Sequence, residues 1–229
     1  MTYNNIREGI FLSRPNRFIA EVEIDGKTEI CHVKNTGRCR ELLIPGTKVY
    51  ADYVDSPTRS TKFDLTAVQK GHRLINIDSQ APNKAFMEYL KSGNYIKNID
   101  NIKAEKTYGN SRFDFYAEAG DRKIFIEVKG VTLEEDGVML FPDAPTLRGV
   151  RHINELAECI LHGYSTHAVF VVQMNNVRYF TPNNQTHPAF GEALIAAKAA
   201  GVTITALNCD VTPHSMVIRD AIPVRLQPL

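Results

Sequence analysis

Apolar and polar residues alternate through the first third of the chain and give way to helical spacing beyond it. Arg17 to Ile24 alternates as a half-buried strand does, Asp25-Gly26 is a residue pair favoured in tight hairpin turns, and Lys27 to Val33 returns as the partner strand. Asn35-Thr36-Gly37-Arg38 reads as a loop and Pro45-Gly46 as a turn, while Lys48 to Val54 and Phe63 to Asp78 supply further strands. This density of short strands, about five in the first ~80 residues, predicts a small barrel, for which the OB fold is the natural candidate.

The pattern changes at Ser79-Gln80-Ala81-Pro82. From here helices and strands alternate as in an α/β domain, so the chain divides into an OB-like domain over residues 1–80 and a second domain over 81–229. Pro82 to Lys91 is expected to be helical and to end at Gly93. Arg112 to Glu118 and Lys123 to Val128 form a hairpin, and a loop rich in acidic residues and prolines follows from Leu133 to Pro145. Thr146 is placed to cap a helix that runs to His162 and stops at Gly163. Val150, Ile153, Leu156, Ala157 and Ile160 form its apolar stripe. His167 to Met174 and Val177 to Thr181 read as strands, Pro188 to Ala200 as a helix closed by Gly201, and Val202 to Asn208 as the next strand.

Composition narrows the function classes. The longest apolar run, Ala168 to Val172, is far short of the roughly 20 residues that span a bilayer, and the N-terminus lacks the apolar core of a signal peptide. A cytoplasmic protein without membrane contact is expected. Cys31, Cys39, Cys159 and Cys209 show no close pair, which argues against zinc and for buried free thiols. Net charge is +1, with 12 Lys and Arg against 10 Asp and Glu in residues 1–80, and 15 against 16 in the rest. Any contact with DNA must therefore come from a local patch.

The chemistry is expected on the Arg112–Val128 hairpin. Glycine at the first central position is what a type II′ two-residue turn requires, because φ is positive there, and Gly120-Asp121 meets that need. With these two as the loop, stepping outward from Ala119 and Arg122 brings Asp114 directly opposite Glu127. Facing carboxylates repel, and a divalent cation relieves the conflict; hard oxygen ligands suit Mg²⁺ or Mn²⁺. Period-two alternation puts Phe125, Glu127 and Lys129 on one face, with Ile124, Ile126 and Val128 on the other. Lys129 thus stands beside the acids, where an ammonium can assist a hydroxide nucleophile or balance charge on phosphorus. The metal would lower the pKa of its water and polarise a phosphoryl oxygen.

Asp114 followed across a hairpin by Glu127-Val-Lys129 resembles the PD-(D/E)xK nuclease superfamily. More specifically, the chain is similar nearly end to end to the sugar fermentation stimulation protein A (SfsA) family. The marks are Arg14-Pro-Asn-Arg-Phe18, Asn35-Thr-Gly-Arg38, Glu41-Leu-Leu43, Pro45-Gly46, Pro82-Asn83, Glu88, Ser111-Arg-Phe-Asp114, Glu127-Val-Lys129, Val131-Thr-Leu133, Phe141-Pro-Asp-Ala144 and Arg148-Gly149. The resemblance implies an N-terminal OB-like barrel, a nuclease-like α/β domain with a mixed sheet, and DNA binding linked by name to sugar metabolism. It assigns metal coordination to Asp114 and Glu127, the catalytic lysine role to Lys129 and the acid of the first helix to Glu88. Phe113 stands where superfamily members often carry proline.

Around this centre the sequence offers accessory candidates. Asp143 lies in the loop after the metal strand, as a gate for substrate or a loop cap. Arg148, His152 and Glu155 share one helical face beside that loop, as phosphate contacts or as an ion-pair network. Arg14, Arg17, Arg38 and Arg40, in or beside turns, and Arg112 are expected to meet nucleic-acid phosphates, with Phe18 and Tyr50 as stacking surfaces or core. Three functions stay open: a Mg²⁺- or Mn²⁺-dependent nuclease, a non-catalytic DNA-binding regulator that keeps the metal site, and a hydrolase of RNA or nucleotides. A homodimer also stays open.

Overall fold

The structure is a computed structural model that describes residues 1–35 and 37–226. Thr36, within the predicted Asn35–Arg38 loop, and residues 227–229 of the second domain lie outside it.

Five strands close the barrel: β1 (Ile6–Asn16), β2 (Ile19–Ile24), β3 (Lys27–His32), β4 (Lys48–Tyr53) and β5 (Phe63–Lys70). They pair in the order β3-β2-β1-β4-β5, and a short parallel contact of β3 with β5 (Cys31↔Phe63, His32↔Asp64) completes the ring, so the predicted OB barrel is present. A sixth strand, β6 (Arg73–Asn76), hairpins onto β5. The strand β1 was not foreseen, and the strand expected from Arg17 begins at Ile19. The side-chain oxygen of Asn16 accepts from the amides of Phe18 and Ile19 and builds a turn where alternation alone read as extended chain.

The second region follows with α1 (Ala81–Lys91), β7 (Asn101–Tyr108), β8 (Ser111–Ala119), β9 (Arg122–Val131), β10 (Leu133–Glu135), β11 (Val138–Phe141) and α2 (Leu147–Leu161). It ends with β12 (Ser165–Val172), β13 (Tyr179–Pro182), α3 (Pro188–Ala199), β14 (Thr203–Thr212) and β15 (Ser215–Ile222). Its main sheet is mixed, in the order β15-β14-β12-β9-β8-β7, with β9, β12 and β14 parallel. Both faces are covered. Phe86, Ala85 and Leu90 of α1 pack with Ile124, Ile126 and Val128, while Ile153 and Leu156 of α2 and Leu194 of α3 pack on the side of Phe125 and Phe170. The alternation predicted for β9 is therefore the one observed.

The loop expected from Leu133 to Pro145 is instead largely the hairpin β10–β11, which joins β13 in a small sheet. Asp136 and Gly137 both hold positive φ (49° and 79°), the requirement of a type I′ turn, and the acidic surroundings hid this Asp-Gly signal. The helix cap was legible, since the Thr146 side chain accepts from the Gly149 amide. All four cysteines are free and buried. Among the described residues no helix is long and apolar enough to cross a membrane.

Buried polar contacts fix the barrel against the second sheet. The Gln173 amide donates to the Asn76 carbonyl (2.9 Å) and the Asp78 carbonyl (3.2 Å), Asp78 accepts from Tyr3 and Lys34, and buried Glu134 takes both Lys70 and Arg73. Groups so deep require partners, and those of Gln173 and Glu134 come from the barrel side.

Candidate active site

The β8–β9 turn fixes the register of the site. Gly120 has φ +57° while Asp121 is not among the residues of positive φ, as the type II′ turn requires, and pairing runs from Ala119↔Arg122 to Phe115↔Ile126. The next pair would be Asp114 and Glu127, and there the ladder stops. Two carboxylates at cross-strand distance repel; instead the Asp114 Oδ2 reaches past and accepts from the Val128 amide (2.8 Å), while its Oδ1 accepts from the Asn83 side chain on α1 (2.8 Å). Phe113 and Phe115 consequently pack into different cores although they are two residues apart. On the neighbouring strand Glu105 is held at φ +55°, also between paired positions. The acids are thus close without being direct partners, a correction to the expected pairing.

Glu127 is almost fully buried on the α2 side of the sheet. Its Oε1 accepts from Lys129 Nζ (2.5 Å) and from His152 Nδ1, and its Oε2 is buried without a partner. The Arg148 Nε–H donates to His152 Nε2 (3.4 Å), which leaves Nδ1 to carry the proton it gives to Glu127. Burial pushes the Glu127 pKa up, but the His152 hydrogen bond and the Lys129 charge outweigh it, and the net shift is downward. Asp114 moves the other way: burial and the charge of Glu127 raise its pKa against the Val128 amide, Lys129 and Asn83.

The remaining predicted residues separate into two groups. Glu88 is mostly exposed, pairs with the Met1 ammonium (2.6 Å), and shares with Asp114 and Glu105 a cleft of about 650 Å³ on the α1 side; Glu127 does not line it. Arg112 is exposed and pairs with Glu105 (3.5 Å). Glu155 is half-buried, with one carboxylate oxygen unpartnered. His152, read from the sequence as a phosphate contact or as part of an ion-pair network, is buried and bonded to Glu127, because the apolar face of α2 carries it inward beside Phe113. Arg14, Arg17, Arg38 and Arg40 do come together, lining one cleft of the barrel. Asp143 lies against Gly37 of the barrel. Asn83 stands in the sequence only as part of the Pro82-Asn83 motif; its contact with Asp114 spans 31 positions and carries no local signal.

Among the described residues, no three His, Cys, Asp or Glu side chains gather into a metal cluster. Mg²⁺ commonly takes one or two protein carboxylates and completes its shell with water and substrate oxygens, so Asp114 and Glu127 are the residues that would hold one. The orphaned Glu127 Oε2 fits such a cation, since a buried carboxylate oxygen without any donor is costly.

An OB barrel joined to a mixed sheet that presents Asp114, Glu127 and Lys129 defines a two-domain class with an acidic centre on the second domain. The chain belongs to the sugar fermentation stimulation protein family. Residues 12–77 match the SfsA N-terminal OB domain, and residues 80–215 match the sugar fermentation stimulation protein RE domain. A sugar fermentation stimulation protein homolog of Desulfitobacterium hafniense (strain Y51) is 62% identical over 99% of both chains, and one of Ruminiclostridium cellulolyticum is 58% identical over 99% of this chain and all of its own. The solved structure of Pyrococcus furiosus SfsA in complex with Ca²⁺ is 30% identical, covers 98% of each chain and superposes with a TM-score of 0.90.

Proposed function

We propose that this protein is a DNA-binding phosphodiesterase that depends on Mg²⁺ or Mn²⁺, with its centre at Asp114, Glu127 and Lys129. The observation that carries this reading is the buried Glu127 carboxylate, held through one oxygen by Lys129 and His152 while the other has no partner. That a relative was solved with Ca²⁺, a hard cation that takes oxygen ligands, supports a divalent ion on this pair. When bound, the ion supplies Lewis acidity toward a phosphoryl oxygen and a lowered pKa for water. Glu127 and Asp114 would hold it. Lys129, fixed by Glu127 and part-exposed, would present its ammonium to the negative charge that builds on phosphate during in-line displacement. His152 fixes which Glu127 oxygen stays free, and Arg148 fixes the His152 tautomer.

A second reading has its own observation. The Lys129 charge and the His152 hydrogen bond already satisfy Glu127 Oε1, so the network is self-sufficient as structure, as a non-catalytic DNA-binding regulator would need. Labelled single- and double-stranded DNA incubated with wild type and Lys129→Ala, in Mn²⁺ and in chelator, separates the two. Cleavage that needs the metal and is lost in the variant is expected. Intact DNA that both proteins still shift on a gel would transfer the case to the regulator.

A further inference from the structure

The barrel opens a cleft of about 450 Å³ between the end of β1, the turn into β2 and the loop before β4, lined by Arg14, Arg17, Arg38, Arg40, Asn16 and Leu43, together with Gly37. Arg14 stands apart from the other three. Its Nη1 donates to the carbonyls of Gly37 (3.0 Å) and Arg38 (2.7 Å), and its Nη2 to those of Arg17 (2.7 Å) and Asn35 (2.8 Å). A guanidinium committed to four carbonyls has little donor capacity left, so Arg14 shapes the cleft. It ties the β1–β2 turn to the facing loop.

Arg17, Arg38 and Arg40 are exposed, and the arginine ion pairs of the described residues belong to Arg59, Arg73, Arg112 and Arg219. Cys39 takes a left-handed φ of 46° and buries its side chain, which leaves Arg38 and Arg40 facing outward on either side. Phe18 is 48% exposed and carries the Arg17 guanidinium over its ring (5.2 Å). An aromatic face beside three free guanidinium groups, in a chain of net charge +1, is a local concentration of positive charge with a stacking surface.

We propose that this cleft holds a single strand of nucleic acid, with Arg17, Arg38 and Arg40 on backbone phosphates and Phe18 stacked on an unpaired base. The guanidinium fork matches phosphate geometry, and stacking on an aromatic ring needs a base free of its complement. The cleft, of about 450 Å³, has room for a segment of strand. Its inner end abuts the second domain. A Cβ on Gly37 would lie 2.6 Å from the Asp143 carboxylate, and a small polar cavity lined by Asn35, Asp143, Gln173 and Gly130 lies beside that contact. The inference rests on nucleic acid being the ligand in the proposed function and does not need the chain to cut it.

Fluorescence anisotropy in chelator tests the cleft apart from cleavage, using a labelled oligothymidylate of about 20 nucleotides and a duplex of the same length. Wild type is expected to bind the single strand more tightly. Arg17→Gln, Arg38→Gln and Arg40→Gln combined should weaken it by more than about tenfold and reduce the salt slope by roughly two, the release expected from three single-strand phosphate contacts. Phe18→Ala should weaken single-strand binding about tenfold and leave duplex binding unchanged. All four side chains are exposed, and circular dichroism checks that the variants fold. Tighter binding of duplex, no binding of either DNA by wild type, or unchanged single-strand affinity in the triple variant would each overturn the proposal. A cleavage assay that fails while these results hold would sink only the phosphodiesterase.

Discussion

Around Glu127 the charged groups are tied to one another. Lys129 and His152 meet on one Glu127 oxygen, Arg148 backs His152, and Glu127 Oε2 is left buried without a partner. Along the barrel cleft the arrangement is reversed: Arg14 alone is tied down, by four carbonyls, and Arg17, Arg38 and Arg40 stand in solvent. A buried charge must be paired, because desolvation costs several kcal/mol per ion. An exposed one costs little and stays free for a ligand. Substitutions at the first site should therefore change chemistry and stability together, whereas those at the second should change binding alone.

The largest expected effect breaks the first site. Lys129→Ala should lower single-turnover cleavage by on the order of 100- to 1,000-fold, the loss typical when one group that stabilises transition-state charge is removed. Next comes the strut behind it. His152→Ala takes a buried hydrogen bond from Glu127 and leaves a cavity beside Phe113, and should cost about 2–4 kcal/mol in urea denaturation. No substitution of Arg17, Arg38 or Arg40 should approach that cost.

Much of this contrast could be read before the structure, for identifiable reasons. Gly120-Asp121 is a turn whose φ requirement falls on glycine, so the register of β8 and β9 followed from it up to Phe115↔Ile126. Alternation along β9 then placed Glu127 and Lys129 on one face. The barrel was legible from strand density and from Asp25-Gly26, where both residues hold positive φ. What stayed hidden was non-local or masked. The strand β1 runs into Pro15-Asn16, the hairpin at Asp136-Gly137 sits among acidic residues that resemble a loop, and the break at Asp114 depends on Asn83 of a distant helix. The convergence of the four arginines was equally out of reach, since it depends on Arg14 bridging segments more than twenty residues apart.

A titrating group sharpens the comparison from outside both sites. His167 is half-buried beside Tyr95; burial and then the Arg122 charge lower its pKa from 6.5 to about 4. The unfolded chain therefore takes up this proton near pH 6.5 while the folded chain resists it to about pH 4. The His167 contribution is complete above pH 6.5 and is lost as pH falls through that window, by up to about 3 kcal/mol. Urea denaturation at pH 7 and pH 5 should show the fall in wild type and a shallower one in His167→Gln. The smallest effect concerns the junction of the two regions. Gly37→Ala would bring a Cβ within 2.6 Å of Asp143 Oδ2 and 2.8 Å of Asn35 Oδ1, and should cost about 1–2 kcal/mol in thermal denaturation. That strain should also loosen the cleft, which weaker single-strand binding by the variant would reveal.

The most direct measurement is a Mn²⁺ titration of the purified protein followed by electron paramagnetic resonance, with wild type, Glu127→Gln and Asp114→Asn compared. Wild type should remove free Mn²⁺ from the spectrum with saturable binding, and both variants, folded by circular dichroism, should lose that binding. Wild type that leaves the Mn²⁺ signal untouched, or variants that bind as well as it does, would contradict a divalent-cation centre at Asp114 and Glu127.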